Sequence, residues 1–110
     1  MKRAIYLVLK STDSAFHTLE ELKRDGYNAT IMSTESLRHV VDDNPEEHHF
    51  YSLRHYEQNE LSQSFLCLFV VEEKDANNLK ASIRRLTDNF KSVKGFMFSK
   101  AIEDFEGSIQ

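Results

Sequence analysis

Two stretches of the chain are apolar without interruption. Ala4-Ile5-Tyr6-Leu7-Val8-Leu9 is the first and Phe65-Leu66-Cys67-Leu68-Phe69-Val70-Val71 the second. Both are too short to span a bilayer and the right length for strands covered on both faces. The first predicts a strand over Arg3–Lys10. The second is followed by acids and a lysine, and Asp75 can cap a helix in which Leu79, Ile83, Leu86 and Phe90 share one face.

The segments between repeat this pattern. Ser11-Thr12-Asp13-Ser14 is a cluster of helix-capping residues, and a helix running to about Asp25 follows, with Phe16, Leu19 and Leu22 as its inward stripe. Gly26 stands where a helix ends in a left-handed residue. Tyr27–Ser33 alternates like a short strand. Lys91–Gly95 reads as a turn and Phe96–Ser99 as a last strand, with Phe65, Phe69, Phe96 and Phe98 expected in the core. The spacing of Ile102, Phe105 and Ile109 fits either a short terminal helix or an edge strand.

From Thr34 to Gln63 the character changes. The chain becomes polar, acidic and rich in histidine, and a structureless run of this length is uncommon inside a compact domain. Ser36–Val41 can continue the second strand, Asp42–Pro45 reads as a turn, and Glu46–Leu61 fits helical and strand spacing alike. A long arm over about residues 35–63, part hairpin, is expected. The whole chain, 1–110, is then a single α+β domain: a ferredoxin-like β-α-β-β-α-β sandwich with the arm between strands 2 and 3. Its two helices cover one sheet face. The other face also reads as buried, which predicts a homo-oligomer.

Composition narrows the function. The net charge of -4 is the wrong sign for a non-specific nucleic-acid binder. Only three glycines are present, which argues against a glycine-rich phosphate cradle. Cys67, the one cysteine, lies in an apolar run and reads as a small buried hydrophobe. It has no partner for an internal disulfide, and the N-terminus lacks the apolar core of a signal peptide. A cytoplasmic protein with no membrane span is the expectation.

The order of elements resembles the PII-like signalling superfamily, whose members are trimers with a long loop between the second and third strands. Gly26–Thr34 is similar to the family's passage from first helix to second strand, and Phe65–Glu73 followed by Asp75–Leu86 is similar to its third strand and second helix. Ser33-Thr34 looks like the small-residue turn of the cyclic di-AMP receptor branch, although Glu35 and Ser36 stand where that branch has a glycine pair. The resemblance implies a regulatory protein that binds a small anionic ligand, nucleotide or metabolite, at subunit clefts and contacts a target through its arm. The residues it points to are Thr34, Arg38 and Lys94.

Other chemistry is thinner. His39, His48, His49 and His55 stand among Asp42, Asp43, Glu46 and Glu47, and imidazole with carboxylate suits zinc, nickel or copper. Metal binding through His48, His49 and His55 is therefore an alternative function, weighed against a plain exposed acidic loop. Phe50, Tyr51 and Tyr56 are either partner anchors or packing for the arm, which leaves a non-enzymatic oligomeric interaction module as a third reading. No motif places a nucleophile beside a base, so neither catalysis nor a cofactor is expected.

Overall fold

In the computed structural model the described residues are 1–42 and 63–108. They form β1 (Lys2–Lys10), α1 (Asp13–Arg24), β2 (Thr30–Glu35), α2 (Leu37–Asp42), β3 (Gln63–Glu72), α3 (Glu73–Thr87) and β4 (Gly95–Ile102). The strands make one four-stranded antiparallel sheet in the order β2-β3-β1-β4. This is an α+β fold, compatible with the expected ferredoxin-like sandwich.

Strand alternation divides the sheet into two faces. Ile5, Leu7 and Leu9 of β1 lie opposite Phe69, Cys67 and Phe65 of β3. All but Phe65, which is partly buried beside them, form the core with Ala15 and Leu22 of α1, Ala76, Leu79 and Ile83 of α3, and Val93. Each fully buried Leu, Ile or Phe contributes roughly 1.5–3 kcal/mol relative to exposure. The intervening residues, Tyr6 and Val8 of β1, Leu66, Leu68 and Val70 of β3, Met32 of β2 and Phe96 and Phe98 of β4, occupy the other face. Neither α1 nor α3 covers it. Phe96 and Phe98 are 46% and 53% exposed, which corrects the expectation that they are core. They sit in register with Val8 and Tyr6, not with Leu7, and so point away from the helices. Phe98 stacks on Tyr6 with ring centroids 4.7 Å apart.

Local signals account for the helix ends. Thr12 caps α1, its hydroxyl accepting from Ala15 N–H at 3.1 Å. At the other end Gly26 N–H donates to Lys23 O and Tyr27 N–H to Leu22 O, the paired closure that a left-handed residue permits, with Gly26 at φ 98°. The inward stripe of α1 is Ala15, Thr18 and Leu22, with Leu19 packed alongside. Phe16 is 59% exposed, contrary to expectation, because the buried stripe runs through Ala15, Thr18 and Leu22 and Phe16 lies off it.

Helix α3 starts at Glu73, with Glu72 at its cap position and no side-chain cap bond, so Asp75 is an acid of the first turn and not the cap. It ends unusually. Asp88, Asn89 and Phe90 are all left-handed, with φ of 52°, 55° and 64°. Such residues are costly singly and rare in series. Buried Thr87 holds the turn: its hydroxyl donates to Ile83 O at 2.8 Å and accepts from Phe90 N–H at 3.1 Å.

Two further boundaries move. The second strand begins at Thr30 and reaches Glu35, later than Tyr27–Ser33, because the closure of α1 uses Tyr27. Leu37–Asp42 is a short helix, not a continuation of the strand; Val40 N–H donates to Ser36 O at 3.1 Å. The tail from Glu103 to Ser108 is neither helix nor strand. The expected arm conformation over residues 43–62 lies outside the described residues.

Candidate functional site

The two ends of the sheet differ chemically. At the end where β1 starts, cations are paired. Lys2 Nζ meets Glu72 Oε1 at 2.7 Å and stands 5.2 Å from the Phe105 ring centroid. Arg3 grips Glu73 through two nitrogens, at 2.9 and 3.0 Å. These contacts hold both carboxyls below the usual range, in each case chiefly through the hydrogen bond from the basic partner.

At the opposite end the register lines up hydroxyls and lysines. Thr34 of β2 faces Ser64 of β3, and Ser64 faces Lys10 of β1. Thr34 Oγ1 donates to Ser64 O at 3.4 Å. Lys10 N–H donates to Lys94 O at 2.9 Å, which places Lys94 next in the same row, one step before Gly95. Gly95 makes that approach possible, since a Cβ there would lie 1.9 Å from Val8 O. The row therefore runs Thr34, Ser64, Lys10, Lys94, across β2, β3 and β1 to the residue that precedes β4. Among the described residues no ion pair reaches Lys10 or Lys94.

Of the residues that sequence singled out, Thr34 and Lys94 thus share one sheet end. Three strand spacings separate them, about 14 Å, so no single small ion touches both within one chain. Arg38 lies in α2, which leaves β2 at this same end. His48, His49 and His55 lie outside the described residues. Within the described residues no group of three His, Cys, Asp or Glu side chains is placed to hold a metal. Lys10 and Ser64 are what sequence reasoning missed. Lys10 ends the first apolar run and Ser64 begins the second, so their pairing could be inferred only from the antiparallel register.

A polar cavity of about 240 Å³ lies beside the row, lined by Ser11, Ser33, Thr34, Glu35, Gln63 and Ser64. Ser11 N–H closes its inner side by donating to Gln63 O at 3.0 Å. Chemically this end offers the Thr34 hydroxyl and the ammonium groups of Lys10 and Lys94 to an anion, with the Glu35 carboxylate also lining the cavity, while Ser64 is itself buried. Cys67 is not part of it. Its thiol is fully buried in the core, and burial raises its pKa to about 11, so it is a poor nucleophile.

No protein-family model matches the sequence, and no curated protein matches it. No helix among the described residues is long and apolar enough to cross a membrane.

Proposed function

We propose that this chain is a PII-like regulatory protein of the cytoplasm: a ferredoxin-like subunit of a homotrimer that binds a small anionic ligand at subunit clefts. The observation that carries the reading is the row Thr34–Ser64–Lys10–Lys94 at the sheet end from which α2 departs. Among the described residues no ion pair reaches Lys10 or Lys94, whereas Lys2 and Arg3 at the other end are held by Glu72 and Glu73. Because about 14 Å separates Thr34 from Lys94, a small ligand that touches both needs two copies, each presenting one end of its row. The apolar face opposite α1 and α3 supplies a surface by which those copies associate. Residues 35–63 are the segment for contact with a target protein, since they leave the sheet beside the site.

Thermal melting of the purified protein with ATP, ADP, AMP, cyclic di-AMP, 2-oxoglutarate or inorganic phosphate tests this. An anion at a hundredfold over its dissociation constant stabilises by about 2.7 kcal/mol and raises the melt by several degrees in a domain of this size. The reading requires that at least one anion does so and that the Lys10→Ala/Lys94→Ala variant loses the shift. If no anion acts, or the shift survives in the double variant, the site is wrong.

A further inference from the structure

We propose that β2 pairs antiparallel with β2 of a second copy of this chain, joining two sheets edge to edge about a twofold axis at Met32. The proposal rests on the outer backbone edge of β2, the strand that also carries Thr34 of the row and Met32 of the face opposite the helices. Among the described residues no strand lies beside the outer edge of β2. An open edge is normally protected by lysine, proline or a bulge. Thr30-Ile31-Met32-Ser33-Thr34 has no lysine or proline, whereas the other edge strand, β4, carries Lys100.

The groove next to this edge is also apolar. About 350 Å³ of space lies between α1 and β2, lined by Phe16, Leu19, Tyr27, Ala29, Ile31 and Phe69. Phe16 and Ile31 are large apolar side chains left exposed at its mouth.

Register selects the occupant. Directly opposed residues of an antiparallel pair point to the same face, so a self-paired strand must be centred on a residue. Centring on Ile31 leaves half the strand unpaired. Centring on Ser33 sets Glu35 against Ile31 at the apolar groove. Centring on Met32 pairs the whole of Thr30–Thr34 with no charge inside it: Thr30 faces Thr34, Ile31 faces Ser33 and Met32 faces its own copy. The same axis runs the two α1 helices antiparallel, which lets Glu20 and Lys23 on the groove rim meet their opposite charges across it. An unrelated partner strand has no such built-in match.

The test is the mass of the full chain in solution, read with cross-linking. Joined to the homotrimer of the proposed function, this pairing makes a hexamer, and the wild type should sediment as an even number of copies. Ile31→Lys, which places a lysine at the edge and groove, should lower that mass about twofold with helix content retained. Met32→Cys should form an intermolecular disulfide with its own copy under mild oxidation, Cys67 being buried and unreactive. A wild type of one or an odd number of copies, an unchanged mass in Ile31→Lys, or no cross-link in Met32→Cys overturns the proposal. Loss of the anion response alone leaves it standing, so the two readings fail separately.

Discussion

The two faces of the sheet are built from the same strands and meet opposite fates. In β1, Ile5, Leu7 and Leu9 are sealed under α1 and α3, while their neighbours Tyr6 and Val8 look out on a face that neither helix covers. In β4 the contrast is sharper. Met97 packs on the core, and the flanking Phe96 and Phe98 are half exposed. A sheet that was simply half-solvated would alternate apolar and polar residues. This one is apolar on both sides over its central strands. Among the described residues α1 and α3 cover one side, and the composition of the other is that of a surface suited to being covered.

Truncating one aromatic on each face gives the largest expected difference. Phe69→Ala should cost about 3–5 kcal/mol, because it opens a cavity in the packed core. Phe98→Ala should cost much less in dilute protein and progressively more as concentration rises. Urea unfolding at several protein concentrations reads both. Equal costs, independent of concentration, would erase the distinction between the faces.

The next effect sharpens the covered side. Thr87→Val keeps the shape and removes the hydroxyl that receives Phe90 N–H, leaving a part-buried donor unpaired beneath a left-handed turn. A loss of about 1–3 kcal/mol is expected by the same unfolding measurement. Asn89→Gly should go the other way by up to about 1 kcal/mol, since glycine adopts the left-handed conformation freely.

Burial of Cys67 makes a pH signature of the same side. Its folded-state pKa is raised to about 11, so the neutral thiol is favoured in the fold and the contribution is complete below the unfolded value. Stability should fall by about 2–3 kcal/mol as pH rises from about 8.5 to 11, a limb that Cys67→Ala abolishes.

The smallest effect belongs to the paired end of the sheet. Glu72 and Glu73 titrate below the ordinary carboxylate range, so their stabilisation is present above the unfolded pKa and disappears as pH falls through the lowered values. These are exposed pairs, and added salt should blunt the effect. Acid titration of Glu72→Gln/Glu73→Gln against wild type measures it.

Much of this was legible in the residues. The apolar runs gave the two central strands, Gly26 gave the closure of α1, and Leu79 and Ile83 gave the buried line of α3. What escaped has physical causes. A run such as Phe96–Phe98 announces burial without saying which face the helices take, so all of it looked like core. Phe16 looked inward because a large apolar residue outweighs Ala15 and Thr18 in a sequence pattern, although it is these small residues that form the buried stripe with Leu22. At the candidate site Thr34 and Lys94 were visible as residue types, but the row that joins them passes through Ser64 and Lys10. Those positions acquire meaning only once β1, β3 and β4 are in register.

The central claim is that the uncovered face carries association between copies. Sedimentation of wild type beside Phe98→Asp tests it most directly, because Phe98 stacks on Tyr6 on that face, is half exposed and points away from the core. The account predicts a multimeric wild type and a Phe98→Asp protein of normal helix content that has lost subunits. A monomeric wild type, or a variant that sediments unchanged, would contradict it.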